Sequence, residues 1–258
     1  MAKVEVIIST LDDGINSIDL SFVSNDYALL IIHQISEFKY YDYSRFINSN
    51  IRVVVSKELG LSKSRNLAIR YAEGQVILLS DDDMIYEMEN LEKIYQYFNH
   101  GYDLITFKIM NKDNQPFRDY PNINKNKNLL SYDFCSCEMA FRTSFIRNFN
   151  YDDDFGLGAR YPAFEELILI HDIFSSGKGS FYFCDEYLAL HFDDNHTGLN
   201  VTNEYCQAYG AFLKRTRNSL FFAKVFKFAL GNLFRTRDLI KSLKIIYHSF
   251  LGYFRYHF

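Results

Sequence analysis

Asp81, Asp82 and Asp83 follow directly on the apolar run Val76-Ile77-Leu78-Leu79-Ser80. Three adjacent carboxylates repel one another unless a positive charge lies among them. A hard divalent cation, Mg²⁺ or Mn²⁺, meets that need when it is itself bound to diphosphate oxygens, because it keeps several waters and takes only one or two protein carboxylates. The alternative for the same tripeptide is an acidic turn whose aspartates cap a helix beginning near residues 84–87. The four cysteines, Cys135, Cys137, Cys184 and Cys206, contain no pair of CxxC spacings and read as reduced structural residues rather than zinc ligands or disulfides.

The elements that must position those aspartates are legible in the hydrophobic pattern. Short apolar runs at residues 4–9, 27–33, 51–55, 76–79 and 104–108 read as buried strands. Residues 61–72 between two of them read as a helix, with Ser62 as its cap and Gly74 as its terminator. A second helix over 87–98 closes at Gly101, and strand–helix–strand–helix is the rhythm of an α/β domain with a mostly parallel sheet and flanking helices. Ligands of such sheets sit at the carboxyl ends of the strands, where Asp81–Asp83 fall. Residues 110–133 are polar and read as a loop, residues 134–145 as strand-like, 165–175 as a helix stopped by Gly177, and 181–192 as a further apolar stretch. No internal repeat is present.

The helix before the aspartates carries Gly60-Leu61-Ser62-Lys63-Ser64-Arg65-Asn66-Leu67-Ala68. Here the chain resembles glycosyltransferase family 2 and its Rossmann-like GT-A fold, in which a helix with an Arg-Asn pair precedes a strand ending in a DxD-type motif. Residues 4–83 carry most of the likeness. The resemblance implies that Asp81 faces the ribose of a nucleotide-sugar, that Asp82 is the variable middle position beside it, and that Asp83 binds the metal. Arg65 and Lys63 match positions that approach the nucleotide, and Ser9 and Thr10 match the place where the base is first held. The second strand departs from the family, which often has an aspartate there; this chain has His33-Gln34-Ile35-Ser36. Downstream, Phe155-Gly156-Leu157-Gly158-Ala159-Arg160-Tyr161 and Phe164-Glu165-Glu166-Leu167 resemble the acceptor-side loop and the acidic pair that supplies the catalytic base. Glu166 is thereby implied as the base and Glu165 as its partner, in an inverting displacement of diphosphate by an acceptor hydroxyl. Of the histidines near the last strand, His191 is preferred over His196 as a ligand of metal or diphosphate.

Charge divides the chain. Ten Lys or Arg follow residue 213 against one acid, Asp238, so the last 45 residues carry +9 and the first 213 carry −13. A catalytic domain over 1–213 and a basic amphipathic helical extension over 214–258 follow. In the extension, Lys224, Lys227 and Arg235 share one helical face, with Phe221, Phe222, Val225, Phe226 and Leu230 around the rest, and residues 238–254 repeat the arrangement. Basic residues interrupt both stretches too often for a membrane span, so the pattern suits helices lying on an anionic membrane surface. An acidic body without a recognised binding motif argues against nucleic acid as the partner. The start of the chain carries no signal-peptide pattern, so the expected location is cytoplasmic, at the inner face of the plasma membrane, and the sequons at Asn195 and Asn200 carry no meaning there. The reading is an enzyme that moves a sugar from a nucleoside-diphosphate donor, UDP-sugar favoured, to a glycan or lipid-linked glycan in capsule or surface polysaccharide synthesis. The rival enzyme is a nucleotidyltransferase, for which Ser9-Thr10-Leu11-Asp12-Asp13-Gly14 is a poor phosphate loop, and the rival non-enzyme is an inactive membrane-surface module of the same fold.

Overall fold

The computed structural model describes residues 1–37, 39–120, 134–192 and 201–257. Its strands are β1 (Val4–Leu11), β2 (Tyr27–Gln34), β3 (Ile51–Ser56), β4 (Val76–Ser80), β5 (Met84–Ile85), β6 (Leu104–Asn111), β7 (Met139–Arg142) and β8 (Phe181–His191). They form one sheet in the order β3-β2-β1-β4-β7-β6-β8-β5. The first four positions are parallel throughout, and β7 then enters antiparallel between β4 and β6.

Near-continuous apolar runs form these strands because both faces are covered. Val4, Val6 and Ile8 of β1 point into one layer, with Ile15, Ile18 and Phe22 and with Leu91, Ile94 and Phe98 of helix α2 (Met88–Asn99). Ile7 points the other way, towards Ala68 and Ile69 of α1 (Leu61–Tyr71) and Leu169, Ile170 and Ile173 of α4 (Glu165–Ser175). A short helix, α3 (Thr143–Ile146), follows β7. The chain then runs through α5 (Asn203–Arg215), α6 (Phe221–Thr236) and α7 (Leu239–Arg255). Residue 213 lies inside α5, which packs on the body through Ala208 and Ala211 against Phe155, Tyr161 and Ile168. Gly210 and Gly252 bring α5 and α7 into backbone contact, since a β-carbon on either would strike the carbonyl of Ser249 or Gln207 across the crossing.

Four local expectations are corrected. Ser62 does not cap α1: its hydroxyl donates to the Phe155 carbonyl at 2.6 Å, and Gly60, at φ +122°, opens the helix instead. Gly74 is not a left-handed terminator. It is needed because buried Glu5 of β1 accepts its N–H at 2.8 Å and leaves no room for a β-carbon. Residues 134–145 do not form one strand, because the chain turns at Ser136–Glu138, whose side chains are drawn to Arg65 and Arg118, and then pairs only over Met139–Arg142. Finally, no helix begins at the aspartates; Met84–Ile85 pairs antiparallel with β8, and α2 starts only after Glu87.

Candidate active site

The carboxyl end of β4 carries Asp81, Asp82 and Asp83, and the N-terminus of α4 carries Glu165 and Glu166. Arg65 of α1 joins the two. Its guanidinium donates to Glu166 Oε1 at 2.9 Å, lies 3.5 Å from Glu165 Oε1 and 3.7 Å from Asp81 Oδ1, donates to the Ser136 hydroxyl, and packs over the Tyr151 ring. Burial works against the charge of Arg65, but Glu166, Asp81 and Glu165 outweigh it and hold the group protonated. Asn66, the next residue, anchors the backbone of Tyr151 in both directions: its amide donates to the carbonyl at 2.9 Å and its oxygen accepts the N–H at 2.8 Å. The Arg-Asn pair therefore has two jobs, one electrostatic and one architectural.

The acidic pair is asymmetric. Glu165 is 5% exposed, and burial, followed by the neighbouring charge of Glu166, pushes its carboxyl up to about 8. Glu166 is the more open of the two. Phe164 enters α4 in the left-handed region, at φ +79°, where an aromatic residue is strained and needs support. The support comes from α5: its ring stacks on Phe212 at 5.1 Å and lies 5.0 Å from Tyr205. Gly156 and Gly158 bring the 155–158 loop against the start of α1, where the Leu61 N–H donates to the Leu157 carbonyl at 2.9 Å.

The three aspartates differ. Asp81 is partly exposed and faces Arg65. Asp82 accepts the Thr10 hydroxyl, and burial raises its carboxyl; a β-carbon at Gly14 would strike both side chains, which explains that glycine. Asp83 is also raised, first by burial and then by Asp81 and Asp82 against the opposing pull of His191. Pairing of Met84 with His191 brings that imidazole to the aspartates, so His191 Nδ1 lies 3.5 Å from Asp83 Oδ2, while Phe117 stacks on the ring at 4.4 Å. Asp83 Oδ1 and His191 Nδ1 are both buried without a hydrogen-bond partner. Two orphaned donor atoms, one hard oxygen and one imidazole nitrogen, suit a divalent cation that takes its remaining ligands from water and diphosphate. Among the described residues no cluster of three or more His, Cys, Asp or Glu forms a full protein cage.

The remaining sequence-derived residues fall unevenly. Ser9 accepts from Ser64 at 2.8 Å, and both Ser9 and Thr10 are occupied in bracing the end of β1. Lys63 is exposed on α1 and is not drawn into the cluster. The unusual β2 terminus is fully used: buried His33 donates through Nε2 to the Asp12 carbonyl at 2.8 Å and so accepts from Tyr43 at Nδ1, Gln34 accepts the Gly60 N–H at 2.8 Å, and Ser36 donates to Asp12. The Ser36 hydroxyl and N–H hold Asp12 down at about 2. His196 lies outside the described residues. Ser136, Tyr151, Phe117 and Phe164 were not singled out from sequence; the only local signal was the aromatic residue before Glu165-Glu166.

A mostly parallel sheet with flanking helices, carrying Asp81–Asp83 after β4 across a buried arginine from Glu165 and Glu166, has the GT-A fold. A family model described as "Glycosyl transferase family 2" matches residues 24–157, just over half of the 258-residue chain, and the chain belongs to that family. Staphylococcus aureus TarS 1-349 shares the fold over 98% of this chain and 92% of its own, with a TM-score of 0.61 at 14% identity. The same protein in complex with UDP-GlcNAc gives a TM-score of 0.64 at 14% identity, over 96% of this chain and 79% of that one. Glucosyl-3-phosphoglycerate synthase from Mycobacterium tuberculosis, in complex with Mn²⁺, UDP and glucosyl-3-phosphoglycerate, gives 0.54 at 15% identity, over 83% of this chain and 80% of that one. No curated protein matches the chain at a significant level.

Proposed function

We propose that this glycosyltransferase moves a sugar, with inversion, from a UDP-linked donor to a hydroxyl of a glycan or lipid-linked glycan, with Mn²⁺ or Mg²⁺ required and with surface or capsular polysaccharide as the product class. The observation that carries the reading is Arg65, which ties Asp81 on the β4 side to Glu166 on the α4 side and so sets a nucleotide wall and an acceptor wall across one crevice. Asp83 and His191 would hold the metal; when bound, it supplies positive charge to a departing diphosphate. Asp81 and Arg65 would face the nucleotide, with Ser9, Thr10 and Asp82 fixing the loop beneath it and Lys63 reaching it from the helix surface. Glu166 takes the acceptor's proton, and Glu165, whose carboxyl is raised by burial, orients it. Binding of UDP-GlcNAc and of Mn²⁺ with UDP by fold neighbours supports this donor and metal.

The extension after residue 213 supports a second part of the reading, docking on an anionic membrane. Phe221 and Val225 of α6 turn inward, but Phe222, Phe226, Leu230 and Phe234 form an outward stripe beside exposed Lys227 and Arg235. Leu239, Ile240, Leu243 and Tyr247 of α7 are also outward, beside Lys241 and Lys244. No described helix is long and apolar enough to cross a membrane. The transfer reading is tested with Glu166→Gln, for which turnover of a UDP-sugar onto an acceptor glycan should fall about 10²–10⁴-fold while UDP binding stays near wild type; unchanged turnover removes Glu166 from the role of base.

A further inference from the structure

Helix α6 has three faces. One is inward (Phe221, Val225, Ala229, Asn232), one is the outward apolar stripe, and the third carries Lys224, Lys227, Gly231 and Arg235 at three- and four-residue spacing. That third face lines a groove of about 710 Å³ between α4, α5 and α6, floored by Leu167 and Ile170 of α4 and by Phe228. Among the described residues no Asp or Glu lines the groove, and neither Lys224, Lys227 nor Arg235 has an ion-pair partner. Three uncompensated cations over an apolar floor match one chemistry, an anionic head joined to hydrocarbon. The volume is that of a site for a sizeable organic ligand rather than for a lone inorganic ion. Ile170 lies one helical turn from Glu166, about 6 Å along the axis of α4.

We propose that this groove binds the phosphate head and proximal hydrocarbon of an acidic lipid. If Glu166 receives the acceptor's proton, as the proposed function holds, the groove seats the lipid-phosphate end of the acceptor; the lipid site itself stands without that reading. Monomeric decyl phosphate, titrated calorimetrically into the full chain below its aggregation concentration, is the probe. Binding is expected to weaken at least tenfold in the combined variant Lys224→Ala, Lys227→Ala, Arg235→Ala. The same loss is expected in Gly231→Leu, because Gly231 lines the groove and a side chain there, meeting no neighbour within 4 Å, would occupy its space. Phe226→Ser with Leu230→Ser, on the outward stripe, should leave decyl phosphate binding intact. Wild-type affinity in both the triple variant and Gly231→Leu overturns the proposal, as does inorganic phosphate alone binding as tightly as decyl phosphate, or loss confined to the outward-stripe variant. UDP binding with Mn²⁺, measured on the same wild-type protein, reads the donor site independently, so failure of the groove and failure of the transfer reading are separately visible.

Discussion

Arg65 is the residue that joins the two acidic groups, since it is a buried cation within 4 Å of Asp81, Glu165 and Glu166. Its reach does not extend to neutralising both glutamates, and Glu165 responds by keeping its proton up to about 8 against an ordinary 4.5. A carboxyl raised in this way binds a proton in the folded chain that the unfolded chain has lost. Its stabilising contribution is therefore full below about 4.5 and is lost as pH rises through about 8. The melting temperature should fall between pH 5 and pH 8.5, and Glu165→Gln, a permanent mimic of the protonated form, should flatten that slope; parallel profiles for the two proteins would refute the assignment. Asp81–Asp83 and His191 stand out in the sequence because they end apolar runs, whereas Glu165 and Glu166, at the start of α4, stand out only through the family resemblance. Ser136 and Tyr151 do not, because their value lies in contacts with Arg65 that only the assembled fold creates. Nor could sequence reveal that Thr10 is taken up by Asp82, or that Lys63 stands exposed on the surface of α1.

At the scale of elements, the parallel strands and helices α1, α2 and α4 follow the hydrophobic periods closely, since burial on both faces of the sheet writes itself into composition. Elements defined by a partner do not. The two-residue β5 exists because β8 pairs with it, and that pairing both abolishes the expected helix start and carries His191 to Asp83. Glycines divide in the same way: Gly177 and Gly101 end helices at positive φ as their spacing predicts, whereas Gly74, Gly210 and Gly252 are demanded by neighbours remote in sequence. The crossing of α5 and α7 gives a sharp expectation. Gly252→Ala should cost about 1–3 kcal/mol in urea denaturation because the added carbon meets the Gln207 backbone, whereas Gly231→Ala, in open space on α6, should not destabilise. Equal effects at the two positions would show that α5 and α7 do not meet as described.

Across the whole molecule, an acidic body carries a basic, outwardly apolar helical pair, and α5 connects that pair to the site through its aromatic contacts with Phe164. The charge division was plain from sequence, but the sorting of apolar residues between inward and outward faces required the packing against α5. Membrane docking by the outward faces predicts co-flotation with vesicles rich in anionic lipid at low salt, weakened as salt rises and reduced by Phe226→Ser with Leu230→Ser; indifference to both lipid charge and this variant would remove the membrane from the account. UDP affinity with and without Mn²⁺ measures the proposed metal-assisted donor site most directly. Mn²⁺ should tighten UDP binding to the wild-type chain by about tenfold or more, and Asp83→Ala and His191→Ala should each abolish most of that gain. A metal-dependent gain that persists unchanged in Asp83→Ala would contradict it.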